Sequence, residues 1–350
     1  MSSAYFPGFS QLPSWLTTSQ DLFRKNVRVS SFIFPANGDA LRRKTHTWFQ
    51  QATNGKFGAS PYLDFEMVTF LNAFGHKGRP PGTRLDPSGQ LQGPHAELRN
   101  ESNKPMGVFK YHALHLTFLV KAQDGQVYAF SPYNFMDDTT ALTYARETFG
   151  QSTLLTDFYY PSDEVSGEGN DFYLRMEADD VTDQTTGLSV RDKVLLLEIQ
   201  PAPRSAHARI APSIRLGNRE GQVKIPHFLQ KRLQNRQHTL FKKNHLNHLF
   251  MAGTGREKVI SLRQFRGSPL SDRAVLKSLV TYIPGKSRVH HYRWIPHSFE
   301  LHLPPTSRIV QTHFPLKRTL GLQQVNTSVA AFEATLDFQY LPLKTLWSAF

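Results

Sequence analysis

The chain has 350 residues, no cysteine and a formal net charge of +13, with 39% hydrophobic and 12% aromatic residues. That length can bury a sizeable core in one large or two modest domains, and the composition is that of a folded chain. The missing cysteines exclude disulfides, thiolate nucleophiles and cysteine zinc sites. No apolar run approaches the roughly 20 residues of a membrane-spanning helix. Residues 1–15 lack the basic head and apolar core of a secretory signal, so a cytoplasmic protein is the default expectation. The charge is uneven. Residues 204–293 hold nineteen Lys and Arg against three acids, so the segment carries about +16 and the remainder is slightly acidic. Such a segment can attract nucleic acid, an anionic membrane or an acidic partner. It can equally be a solvated basic surface.

In chain order, residues 1–24 read as a Pro-, Ser- and aromatic-rich arm. A strand follows over 27–35. Asn37 or Asp39 then caps a helix over 39–52 that bears Leu41, Trp48 and Phe49. Residues 61–73 form a strong strand. In it Glu66 stands amid Phe65, Met67, Val68 and Phe70, where a buried carboxylate is costly unless paired or protonated. An outward carboxylate on a half-exposed strand is the other reading. Residues 76–106, rich in Gly, Pro, Asn and charge, read as a long loop insertion.

Residues 107–120 form the next strand. Asp124 and Gly125 turn it back in a hairpin, and 127–135 returns. Alternation puts Phe109, Tyr111, Ala113, His115 and Thr117 on one face, and Lys110, His112, Leu114 and Leu116 on the other. His115 can supply acid–base chemistry because an imidazole titrates near neutrality, or it can be structural. Residues 135–155, FMDDTTALTYARETFGQSTLL, then read as a helix capped by Asp138 or Thr139. Ala141, Leu142, Ala145 and Phe149 share one face, and Gly150 stops the helix.

An acidic loop follows over 157–169, and then strands over 171–178 and 193–200. Residues 226–250 read as one basic amphipathic helix or two shorter ones, with Phe228, Leu229, Leu233, Leu240 and Phe241 as an interrupted stripe. That stripe can lie against the body or a dimer partner, or the segment can meet a membrane surface or nucleic acid. His245 and His248 are three residues apart, but no third ligand follows at motif spacing, so no metal is expected. Further strands fall within 258–265, 278–284 and 288–303. The last forty residues are apolar enough to fold back or to join subunits. No Gly-rich phosphate loop, G-x-S-x-G elbow, H-E-x-x-H or dinucleotide fingerprint is present, and no cofactor is expected.

Several of these motifs resemble the acetoacetate decarboxylase family. In that family an R-E segment leads into a proline and two lysines, the first of which forms a Schiff base. Arg146, Glu147, Phe149 and Gly150 match the segment. Thr153 stands where the Schiff-base lysine would be, and Leu154 where its pKa-lowering partner would be. Asp39, Ala40 and Leu41 match the family's D-A-L, and Pro61, Phe65 and Glu66 match its P-x-x-x-F-E. Leu262 and Gln264 are similar to its late L-x-Q. The alignment puts Val27 at the family's pocket arginine, with Arg28 one residue off register, and Ala113 at its strand glutamate.

The resemblance implies a mainly β, α+β fold, an acetoacetate decarboxylase-like cone-shaped antiparallel β-barrel with a few peripheral helices. It implies a single domain over 25–350, with insertions near 76–106 and 204–256, that forms a homo-oligomer. Its cavity would take a small-molecule substrate of oxo-acid or polyketide type, in secondary metabolism. A lyase-like reaction (decarboxylation, dehydration, aldol or cyclisation) would run without a Schiff base. Glu66 and His115 would be its acid–base groups and Tyr111 would orient the substrate. Arg28, Ala113, Phe135, Thr153 and Arg146 would line the site. Lys110 is a conceivable migrated amine, but it alternates away from Tyr111. The other reading is a non-catalytic binding or interaction protein that keeps the barrel and offers its basic surface to an acidic partner.

Overall fold

The computed structural model describes residues 21–72, 95–99, 105–147, 149–160, 172–181, 190–203, 243–266, 274–282, 284–295, 297–304, 322–340 and 344–349. Strands dominate it, as the alternating apolar runs predict. The first nine are β1 (Asp21–Pro35), β2 (Ala59–Pro61), β3 (Phe65–Asn72), β4 (His95–Arg99), β5 (Pro105–Phe109), β6 (His112–Ala122), β7 (Val127–Met136), β8 (Thr153–Leu155) and β9 (Asp157–Tyr159). They are followed by β10 (Leu174–Val181), β11 (Val190–Pro201), β12 (Val259–Arg266), β13 (Ala274–Tyr282) and β14 (Pro284–Ile295). The last are β15 (Phe299–His302), β16 (Val325–Thr327), β17 (Ala330–Tyr340) and β18 (Lys344–Ala349). The described helices are α1 (Gly38–Thr45), α2 (Thr139–Glu147) and α3 (Lys243–Gly253).

The larger sheet runs β14-β17-β1-β3-β6-β7-β12-β13-β18, with β2, β4, β5 and β8 attached at its sides. The smaller runs β16-β15-β11-β10-β9. The fold is therefore mainly β with peripheral helices. Two pairings depart from the expected antiparallel order. β8 and β12 each lie parallel to β7, because α2 and α3 carry the chain over before it rejoins the sheet.

Both faces of the larger sheet are covered. On one, Phe32, Phe34, Val68, Phe70, Leu114 and Leu116 pack against Leu174, Met176, Leu197, Ile199 and Leu301 of the smaller sheet. On the other, Val27, Val29, Leu71, Tyr111 and Ala113 pack against Ala141, Tyr144 and Ala145 of α2. This explains why β6 is buried along nearly its whole length, and why its sequence is a continuous apolar run more than a clean alternation. His112 ties the two sheets at their margin. Its Nδ1 lies 2.5 Å from Asp137 Oδ2, and the Tyr160 hydroxyl, just beyond β9, lies 2.5 Å from its Nε2.

Several boundaries differ from those the sequence predicts. Asn37 is the cap of α1 and accepts from the backbone N–H groups of Asp39 and Ala40 at 3.0 and 3.1 Å. A π-helical turn, His46–Gln51, follows α1, beginning after Thr45, whose hydroxyl donates back to Leu41 O and Arg42 O and competes with the backbone ladder. The expected strand over 107–120 is interrupted at Lys110 and Tyr111. Inside the expected loop, β4 and β5 form a ladder and β4 pairs with β1. Of the expected basic helix over 226–250, residues 226–242 lie outside the described residues, and the rest is α3. Among the described residues no helix is long and apolar enough to cross a membrane.

The largest difference is at the start of β1. The strand begins at Asp21, inside the expected arm, and carries a bulge. Arg24 pairs with Phe338 and Val27 with Leu336, so β1 spends one more residue than β17 over that interval. Asn26 absorbs the excess with a left-handed backbone, φ 51°. Its N–H donates to Asp337 Oδ1 at 2.7 Å. Asn tolerates this conformation better than most side chains do. One extra residue reverses the alternation on its far side, so Arg24 shares a face with Val27 and Val29. Asn26→Val is expected to cost about 1–2 kcal/mol, and Asn26→Gly no more than about 0.5 kcal/mol. Urea denaturation of the two variants checks this.

Candidate functional site

The bulge matters because of what it turns inward. Arg24 is 5% exposed. Its guanidinium carbon lies 5.0 Å from the Phe338 ring centre, 5.5 Å from Tyr111 and 5.6 Å from Tyr340. It also hydrogen-bonds the Tyr111 side chain. Among the described residues no ion pair involves Arg24, and its Nε has no hydrogen-bond partner. The rings offset part of the desolvation of the charge, but not as a counter-ion would. Neither phenol becomes one. Burial pushes the Tyr111 hydroxyl up to about 12 and raises that of Tyr340. Both stay neutral near pH 7.

Arg24 lines a cavity of about 40 Å³ whose other polar walls are Thr69, His115, Thr117, Ser131 and Gln151. At roughly 10–15 Å³ per water, that is room for about three waters. Val29, Leu71, Phe338 and Tyr340 close apolar sides. Thr117 and Ser131 share one hydrogen bond at 2.6 Å, and Thr69 and Ser31 share one at 3.0 Å. The atoms left unmet are Arg24 Nε, His115 Nε2 and Gln151 Oε1, all buried.

A single cross-strand row organises this wall. Ser31 of β1 is opposite Thr69 of β3, Thr69 opposite His115 of β6, His115 opposite Asn134 of β7, and Asn134 opposite Thr153 of β8. Five polar residues thus line up on a face that is otherwise largely apolar. His115 Nδ1 is hydrogen-bonded to Asn134 Oδ1. The Asn134 amide donates to Ser131 O at 3.2 Å and Ser152 O at 3.4 Å, which fixes which end of the amide meets the ring. Burial, and then the nearby Arg24 charge, lower the His115 pKa to about 4, against the opposing bond from Asn134. His115 is therefore neutral at pH 7. Gln151 reaches the site because α2 closes in a C-terminal capping turn. Gly150 takes φ 62°, and Gln151 N–H returns to Ala145 O at 3.1 Å.

The residues singled out in the sequence separate by face. His115 lines the cavity, and Tyr111 and Ala113 are buried on the same face of their strand, Tyr111 under Arg24. Thr153 stands in the polar row, half-buried, its hydroxyl donating to Gln151 O at 3.3 Å. Position 66 alternates in β3 with Val68 and Phe70, on the face opposite Thr69 and Leu71. Arg28 stands next to Val29 and so faces away from the cavity, because alternation continues unbroken after the bulge. Phe135 is fully buried in the core between the sheets, one residue out of step with Asn134. Arg146 is exposed, since α2 buries Ala141, Tyr144 and Ala145 instead. His248 pairs with Glu257 at 2.6 Å. Among the described residues no cluster of three or more His, Asp or Glu could hold a metal. Sequence reasoning missed Arg24, Asn134 and Gln151. Asn26 inside an apolar alternation was the available signal for Arg24, since Asn favours the left-handed backbone that a bulge needs.

No protein-family model and no curated protein sequence matches the chain. Solved structures match it in fold. The enduracididine biosynthesis enzyme MppR with bound HEPES buffer aligns with a TM-score of 0.50 and 10% identity, over 95% of this chain and 89% of that one. An acetoacetate decarboxylase from Legionella pneumophila gives 0.50 and 10%, over 95% and 90%. An acetoacetate decarboxylase-like enzyme from Sphingomonas wittichii gives 0.50 and 10%, over 95% and 96%. The chain therefore has the acetoacetate decarboxylase-like fold.

The His115 environment makes a stability prediction. Its folded pKa of about 4 lies below the ordinary 6.5, so between these values the unfolded chain binds the extra proton. His115 thus favours folding fully above pH 6.5, and that contribution is lost as pH falls toward 4. The full loss is at most about 3 kcal/mol, and less where cavity water reaches the ring. His115→Gln is expected to lose this part of the pH dependence. Denaturant unfolding of both proteins at pH 7 and pH 5 measures it.

Proposed function

We propose that the cavity binds a small organic acid, and that His115 acts on it by proton transfer in a lyase-like reaction on an oxo acid that forms no Schiff base. The observation that carries this reading is that three residues lining one cavity, Arg24, His115 and Gln151, each hold a buried polar atom without a hydrogen-bond partner. A buried guanidinium with no counter-ion among the described residues calls for an anion, and a carboxylate matches its planar donors. A neutral imidazole with a bare nitrogen is a base.

In the proposed step, His115 Nε2 takes a proton from the carbon beside the substrate carbonyl. The C–H electron pair becomes the C=C bond of an enolate, and the Arg24 charge stabilises the developing oxyanion. In a dehydration the oxyanion pair then re-forms the carbonyl, the enolate C=C pair becomes the bond between the α and β carbons, and a β-hydroxyl leaves with its C–O pair and takes the proton from Nε2 to depart as water. Tyr111 acts through Arg24 as a positioning residue. Thr153 offers a hydroxyl where an imine would need an amine, and no described residue lining the cavity is a lysine. The fold likeness supports the substrate class. One MppR structure, aligned at a TM-score of 0.50, holds the condensation product of pyruvate and imidazole 4-carboxaldehyde.

Two measurements test the proposal. Borohydride treatment with pyruvate or acetoacetate is expected to leave the intact mass unchanged, and a reduced-imine adduct on any lysine would refute the imine-free reading. Arg24→Met is expected to weaken carboxylate binding at least about tenfold while leaving stability equal or higher, because it removes a buried charge that lacks a counter-ion. Unchanged binding would refute the anion site.

A further inference from the structure

We infer that the group the site holds against His115 is a hydroxyl and not a ketone oxygen, so that the ligand is a small hydroxy acid or the enol form of an oxo acid. This rests on the reading of the cavity as an organic-acid site. It adds the hydrogen-bond polarity of the ligand, which follows from a chain of contacts outside the cavity.

The chain starts at the Asn134 amide. Its nitrogen donates to two backbone carbonyls, Ser131 O and Ser152 O. Carbonyl oxygens can only accept, so the nitrogen must be the end that faces them, and Oδ1 must be the end that faces His115. Oδ1 in turn can only accept, so His115 Nδ1 carries the proton in the bond between them. A neutral imidazole has one N–H. Nε2 is therefore bare, buried and unpartnered, on a residue that lines the cavity.

A ketone oxygen placed against Nε2 sets two lone pairs against each other. A hydroxyl there donates a hydrogen bond. Arg24, on the same cavity, can only donate, so the carboxylate belongs to it. Gln151 does not set the polarity, because its amide can turn either end toward a ligand. Thr117 and Ser131 are already paired at 2.6 Å. The resulting pattern is a donor site for a carboxylate beside an acceptor site for a hydroxyl. An enol, whose hydroxyl can donate to Nε2, fits that pattern better than the keto acid does.

Lactate and pyruvate differ in this one group and serve as probes. At pH 7, calorimetric titration of the full chain is expected to show lactate binding about tenfold tighter than pyruvate or better, the cost of leaving one buried acceptor facing an acceptor. Nitrogen-15 NMR of the histidine rings is expected to show His115 protonated at Nδ1 only. In Asn134→Asp a carboxylate faces Nδ1, the ring becomes imidazolium, Nε2 becomes a donor, and the preference is expected to shift toward pyruvate. The wild-type measurements stand alone if that variant does not fold. Pyruvate binding as tightly as lactate, or a proton found on Nε2, would overturn the inference. If either occurs while both acids still depend on Arg24, the organic-acid site stands and only its polarity is wrong. If neither acid binds the wild type, both readings fall.

Discussion

A positive charge, that of Arg24, is buried in this protein, and among the described residues no ion pair answers it. Arg24 is held under Tyr111, Phe338 and Tyr340, whose rings contribute quadrupole attraction but no formal charge. Around it, burial keeps both phenols protonated, and desolvation together with the same Arg24 charge holds His115 neutral. The Arg24 charge is thus felt at the His115 ring across the cavity wall. The bulge at Asn26 makes this possible. It sets one guanidinium on the inner face of a strand whose next inner residues, Val27 and Val29, are apolar.

The second element is the polar row Ser31, Thr69, His115, Asn134 and Thr153. Each residue comes from a different strand, and each is held by antiparallel or parallel register and not by its chain neighbours. β8 brings Thr153 alongside Asn134 because α2 ends in a glycine-based turn and returns the chain parallel to β7. The row gives His115 a fixed tautomer. That is a positional effect, since nothing covalent or metallic is needed to orient the ring.

The fold and the site follow different rules. Matches at 10% identity over 95% of the chain show that two-sided burial of a large sheet can be met by many sequences, since a core needs apolar residues of suitable volume more than particular ones. The chemistry of the cavity is not shared by that argument. It depends on which side chains fall on the inner face, and a single inserted residue changes that while the sheet survives.

Much was legible in the chain itself. The alternation of β6 placed Ala113 and His115 on one face and His112 on the other, and they are so placed; Tyr111, just before the strand, is buried with Ala113. The Asp124–Gly125 hairpin, the helix after β7 and its stop at Gly150 were readable because turns and caps depend on near neighbours. The mainly β class was implied by the resemblance to the acetoacetate decarboxylase family, and the solved structures match it in fold. Arg24 was not legible, because strand parity is countable only within an unbroken strand, and the bulge at Asn26 is registered against β17, more than three hundred residues away. Phe135 and Arg146 fell outside the cavity because sequence proximity to Thr153 says nothing about which face a strand or helix buries. The sequence alone determined the periods, the turns and the absence of cysteine chemistry. Only the tertiary structure decided which polar residues meet, because register across strands is a non-local quantity, and the unpaired charge of Arg24 and the bare nitrogen of His115 exist only once five strands have been set side by side.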